Sequence, residues 1–193
     1  MSTLRRPFRA PAFALSLTPL LLAQACLPCS NTSELCLVAE SLPEAHLSVR
    51  ALADDDVWLV GSEALETEDG PSAVAWDGSE WTHLDTSDWS GAELWWVHPT
   101  QDRVTMVGTQ GLILEYDRAT ETLEEIEGPD DSVTFFGVWG ASADDVWAVG
   151  GTPGGGDPPA IWRRDADGWT EFVDPALGEG GPGQLYFKVH GSA

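Results

Sequence analysis

From residue 46 onward the chain is a succession of short apolar runs separated by polar, glycine- and aspartate-rich connections, with almost no helical period. One run recurs three times, as Asp56-Val57-Trp58-Leu59-Val60-Gly61, Arg103-Val104-Thr105-Met106-Val107-Gly108 and Asp145-Val146-Trp147-Ala148-Val149-Gly150. Each copy is preceded by another apolar run: Leu47 to Leu52, Leu94 to Val97 and Phe135 to Trp139. Each is followed by a third, Ala73 to Trp76, Leu112 to Tyr116 and Ala160 to Trp162. A fourth, more polar run closes the unit: Trp81 to Leu84, Leu123 to Ile126 and Trp169 to Val173. Continuous apolar runs of this length are the mark of strands covered on both faces. Alternation, as in Trp169-Thr170-Glu171-Phe172, marks an outer strand with one wet face. Between third and fourth runs stand Asp77-Gly78 and Asp167-Gly168, dipeptides that supply positive φ for a hairpin. The middle copy fills this place with Asp117 to Thr122 and no glycine, which predicts a longer turn.

The three closing glycines lie 47 and 42 residues apart, the period of one four-stranded propeller blade. An antiparallel sandwich uses similar short strands but does not need whole quartets to repeat with matched tryptophans. The expected fold is therefore all-β, with about three propeller-type blades at 46–85, 94–127 and 135–174. The run Leu185 to Ala193 aligns with Phe135 to Ser142 and reads as the first strand of a fourth. The phrase Val138-Trp139-Gly140-Ala141-Ser142-Ala143-Asp144-Asp145-Val146-Trp147-Ala148-Val149-Gly150, together with Trp76-Asp77-Gly78-Ser79-Glu80-Trp81, resembles the repeats of bacterial exported propeller proteins. Those are loosely akin to the Asp-box (BNR-like) and kelch-like groups. The resemblance covers residues 46–193, is degenerate in the middle copy, and implies a fold and an extracytoplasmic setting rather than an activity. Propellers close with four to eight blades. The expectation is accordingly either a truncated copy of a longer protein or an oligomer in which several chains complete a ring.

The first 25 residues have a different character. Arg5, Arg6 and Arg9 precede a largely apolar run from Ala12 to Ala23, and Ala23-Gln24-Ala25 ends it with small residues where a signal peptidase reads. That run is too short to span ~30 Å of hydrocarbon as a helix, and Pro11 and Pro19 weaken it further. Residues 1–25 are thus expected to be a removed signal peptide. Leu22-Ala23-Gln24-Ala25-Cys26 resembles a bacterial lipobox, in which the cysteine is acylated, although Ala23 stands where that family usually has Leu. The same segment suits ordinary signal peptidase, which would release a soluble secreted protein. The three cysteines, Cys26, Cys29 and Cys36, are an odd number for an exported chain. Acylation of Cys26 would leave Cys29 and Cys36 for a small-loop disulfide. Zinc is the weaker alternative because a fourth ligand is missing nearby. Residues 26–45 read as a tether.

Charge narrows the partners. All 32 acidic residues lie beyond position 30, and cleavage before Cys26 leaves six basic residues against them, a formal charge of −26. Such a chain repels phosphate backbones and anionic headgroups, so nucleic acid is excluded as a partner and membrane contact is left to the lipid anchor. The aspartates Asp54-Asp55-Asp56, Asp102 and Asp144-Asp145 recur at equivalent positions and read as turn residues. Trp58, Trp76, Trp81, Trp147, Trp162 and Trp169 recur at matched places and read as blade packing. Trp89, Trp95 and Trp96 fall outside the matched columns, which makes them the candidate ligand surface, exposed to carbohydrate or protein. His46, His83, His98 and His190 show no metal-ligand spacing, and His98 and His190 nearly align with Trp139. Gly150-Gly151-Thr152-Pro153-Gly154-Gly155-Gly156 lacks the lysine and helix of a phosphate loop.

No cofactor, metal or catalytic residue is expected. The expected function is a non-enzymatic cell-envelope binding or scaffolding module whose partner is a protein or glycan at the cell surface. The alternative is a fragment of a glycan-active propeller enzyme, sialidase-like or of Asp-box type, which would demand several arginines converging on a carboxylate.

Overall fold

The computed structural model describes residues 44–64, 68–155, 159–173 and 184–192. Those residues form three four-stranded antiparallel sheets, and no α-helix occurs among them. The first sheet comprises β1 (His46–Ala53), β2 (Asp56–Gly61), β3 (Ala73–Trp76) and β4 (Trp81–His83). The second comprises β5 (Leu94–Pro99), β6 (Arg103–Gly108), β7 (Ile113–Asp117) and β8 (Thr122–Glu125). The third comprises β9 (Thr134–Ser142), β10 (Asp145–Gly151), β11 (Ala160–Asp165) and β12 (Gly168–Glu171). Within each sheet the strands lie in chain order, so every connection is a hairpin between neighbours. The expectation of an all-β chain built from strand quartets is met.

The polarity gradient of the sequence becomes a burial gradient. In the second sheet β6 is buried over Val104 to Gly108, whereas β8 is mostly exposed. The two faces of β6 serve two cores. Val104 and Met106 join Trp58, Val60, Leu94 and Leu114 between the first and second sheets. Val107 joins Ile113, Phe135, Val138, Val146 and Ala148 between the second and third. Each such side chain, fully buried, contributes roughly 1.5–3 kcal/mol. The first strands β1, β5 and β9 neighbour one another in chain order across the stack. β1 is the open one, with Leu47, Val49 and Leu52 each more than two-fifths exposed.

The third-to-fourth hairpins share an aspartate device. Asp77 Oδ1 accepts hydrogen bonds from the backbone N–H of Ser79 and Glu80, both at 2.8 Å, and Gly78 takes φ +93°. Asp117 does the same for Ala119 and Thr120 at 2.9 and 3.0 Å. Tyr116 there pairs with Leu123 where Trp76 pairs with Trp81, so the middle turn is longer. Glu121, at φ +56°, supplies the left-handed step that glycine supplies elsewhere. These local bonds hold the Asp77 and Asp117 carboxyls below the usual aspartate range.

A bulge recurs at one place in all three sheets. His46 and Ser48 face Gly61 and Val60, Leu94 and Trp96 face Gly108 and Val107, and Phe135 and Gly137 face Gly150 and Val149. Leu47, Trp95 and Phe136 are therefore the extra residues, and a bulge re-aims the side chains at its site. The opposing glycine is required by proximity. A Cβ on Gly61, Gly108 or Gly150 would sit 1.8, 1.8 or 2.0 Å from the carbonyl oxygen of Ala45, Glu93 or Thr134.

Candidate functional site

Strand register defines columns that run across the stack. Arg50 pairs with Trp58, His98 with Thr105 and Trp139 with Trp147, so Arg50, His98 and Trp139 occupy one column of β1, β5 and β9. The segment 184–192 continues it, with the His190 ring stacked on Trp139 at 6.0 Å. His98 thus shares the register position of Trp139, and His190 stacks on that ring from the neighbouring segment. In the bulge column Trp95 meets Phe136 edge-on at 5.2 Å, and Phe136 meets Phe187 at 4.7 Å.

The column next to the bulge holds Ser48, Trp96 and Gly137. Arg50 Cζ lies 4.4 Å from the Trp96 ring centroid and Lys188 Nζ lies 3.0 Å from it. Gly137 makes this possible: a Cβ there would come within 2.9 Å of the Phe187 carbonyl oxygen. With no side chain on β9 at that point, the 184–192 segment lies close and Lys188 reaches across to β5.

The three tryptophans expected to form a ligand surface are all half-buried. Trp89, on the short 3-10 turn Ser87–Trp89, packs on the first core and donates its indole N–H to Glu125 at 2.8 Å. Trp95 and Trp96 are first-strand residues in the columns just described, with Phe136 and Gly137 as their counterparts. Their apparent isolation in the sequence comes from a change of residue type within a column. Cys26, the expected point of lipidation, and Cys29 and Cys36, the expected disulfide pair, lie outside the described residues.

A second group of polar residues works between the sheets. Asp56 Oδ1 accepts the Trp58 indole N–H at 2.7 Å, and its carboxylate pairs with Arg118 from the second sheet at 3.0 Å. Asp145 accepts the Trp147 indole at 3.1 Å and pairs with Arg163 of its own sheet at 3.3 Å. Asp54 and Asp55 form the turn that the sequence predicts, but Asp56 and Asp145 open strands and do more than shape a turn. Glu115, only 4 % exposed, is the most enclosed carboxylate of the group. It pairs with Arg103 at 2.5 Å and with Arg164 Nε at 2.9 Å, and it accepts the Trp169 indole N–H at 2.8 Å. The signal for it in the sequence is a single charge inside the apolar run Leu112 to Tyr116.

Shallow clefts sit beside these clamps. One of about 430 Å³ is lined by Arg103, Glu115, Arg164 and Trp169, and one of about 600 Å³ by Asp56, Trp58, Tyr116 and Arg118. Among the described residues, Arg103, Arg118, Arg163 and Arg164 each pair with a carboxylate, which leaves Arg50 apart. Among the described arginines, Arg103 and Arg164 meet at Glu115, a carboxylate of the chain itself, while Arg118 and Arg163 pair with Asp56 and Asp145. The described residues contain no cluster of three or more metal-ligating side chains.

His98 carries a pH dependence of known sign. Burial pushes its pKa below the usual 6.5, outweighing the hydrogen bond to the Gly140 carbonyl at 3.0 Å, and Arg50 adds repulsion. The unfolded chain therefore takes up a proton first on acidification. Stability contributed by the neutral ring falls as pH drops below 6.5 and levels off once the folded ring titrates. The difference in urea midpoint between wild type and His98→Gln is expected to shrink between about pH 7 and pH 5. A pH-independent difference would show that His98 is solvated in the folded protein.

Compared with protein-family models and with curated proteins, the sequence shows no match.

Proposed function

We propose that the chain is an exported module of propeller-type repeats, anchored by lipid through Cys26, that binds a protein or glycan at the cell surface without turning it over. The observation that carries this reading is the order of the sheets. Three meandering quartets stack in chain sequence with β1, β5 and β9 side by side, and residues 184–192 run along β9 in the next place. Propeller blades are four-stranded meanders repeated radially around an axis, and this succession fits them. Binding residues are disproportionately carried on loops that a rigid scaffold positions, which the hairpin connections here supply. The anchor is supported by the basic start, the apolar run and the cysteine directly after Ala23-Gln24-Ala25.

The test is membrane partition of the natural full-length protein and of its Cys26→Ser variant in a bacterial host. The wild type is expected in the detergent phase, with an N-terminal peptide starting at an acylated Cys26, and the variant in the aqueous phase. A wild type that partitions to the aqueous phase without lipid would overturn the anchor. Consumption of a bound glycan would overturn the non-enzymatic reading.

A further inference from the structure

We infer that Arg50 and Lys188, gathered over the indole of Trp96, form a binding site for a small oxyanion, either a carboxylate or a phosphate monoester. The inference rests on the binding-module reading and gives it a ligand class. Its first support is pairing. Among the described residues Arg50 and Lys188 are the two long cations without a carboxylate, and they donate only to the carbonyls of Val49 and Phe136, at 3.3 and 3.4 Å. The chain has 32 acidic and nine basic residues, so every cation has carboxylates to choose from. The other four described arginines have all found one.

The second support is convergence. Arg50 reaches the Trp96 ring from β1, and the gap at Gly137 lets Lys188 reach the same ring from residues 184–192. The flanking column adds His98 and His190, on either side of Trp139 at 6.4 and 6.0 Å. Burial chiefly holds Lys188 and His98 below their usual pKa, and the Arg50 charge adds a smaller push in the same direction on both. Two like charges sharing one aromatic ring repel, and a bound oxyanion offsets that repulsion with charge-assisted hydrogen bonds. The guanidinium offers a planar pair of donors and the ammonium a point charge, which suits carboxylate or phosphate oxygens. The ligand is small because the surrounding chain is strongly acidic and repels a polyanion.

The test follows the Trp96 indole N–H by NMR, assigned with Trp96→Phe, in titrations of full-length protein with glucuronate, inorganic phosphate and glucose. Glucuronate, phosphate or both are expected to shift that signal with a dissociation constant on the order of millimolar, and glucose is not. Response to glucuronate alone assigns a carboxylate, and response to phosphate alone a phosphate monoester. Arg50→Gln with Lys188→Gln is expected to weaken binding at least about tenfold. Should that variant fail to fold, wild-type binding is still expected to weaken as salt rises. No response to either anion at about 20 mM, or an equal response to glucose, overturns the site. Membrane partition is measured separately, so loss of the site leaves the anchored-module reading to stand or fall alone.

Discussion

Glutamine in place of Glu115 is expected to destabilise the protein by about 3–5 kcal/mol, the range for breaking a buried ion pair from one side. The residue is enclosed between the second and third sheets, where its carboxylate faces Arg103, Arg164 and the Trp169 indole. Glutamine keeps the shape and one accepting oxygen but removes the counter-charge. Arg164 retains Asp144 at 2.5 Å, whereas Arg103 has no other carboxylate among the described residues. An uncompensated guanidinium in a half-buried place is the source of the loss. Urea unfolding at neutral pH measures it, and a loss below about 1 kcal/mol would mean that water solvates the group in the folded state. The triple change Glu115→Leu, Arg103→Met and Arg164→Met is expected to recover most of the stability, since an apolar set of similar volume needs no desolvation of charge.

Alanine at Gly108 is expected to cost roughly 3 kcal/mol, the upper end for forcing one carbon into a packed site. The added Cβ would lie 1.8 Å from the Glu93 carbonyl oxygen, 2.9 Å from its carbon and 3.1 Å from Leu94 Cα. All three are backbone atoms, so relief requires the strand to move and the bulge at Trp95 to open. Trp95 would then lose its edge contact with Phe136. Equilibrium unfolding gives the cost, and near-ultraviolet circular dichroism reports the tryptophan. A change below about 1 kcal/mol with an unaltered spectrum would show that the close approach is not needed for the fold.

Much of this architecture is legible in the sequence because it is periodic. Short apolar runs joined by aspartate turns specify strands and hairpins locally, and the recurring Val-Gly ending identifies equivalent strands. The purpose of that glycine is not legible, since it answers to a carbonyl in the preceding strand and not to any turn. The register of Trp95 and Trp96 is not legible, because their column partners are Phe136 and Gly137 and no local rule equates tryptophan with glycine. Glu115 is hidden for a related reason. Its partners Arg164 and Trp169 are about fifty residues away in the chain and meet it only when two sheets stack. Pairings made across sheets carry no local signature, whereas those made within a turn do.

The aspartate that opens β2 or β10 has one requirement, a guanidinium beside its indole partner, and two addresses that satisfy it. Arg118 reaches Asp56 from the adjoining sheet, while Arg163 reaches Asp145 from the same sheet. The strand start is therefore a socket that can be plugged from within or from next door. Duplication of a unit with its own arginine in the Arg163 position would lengthen such an array without stranding a carboxylate. Copy number can then change without leaving the aspartate at that strand start unpaired.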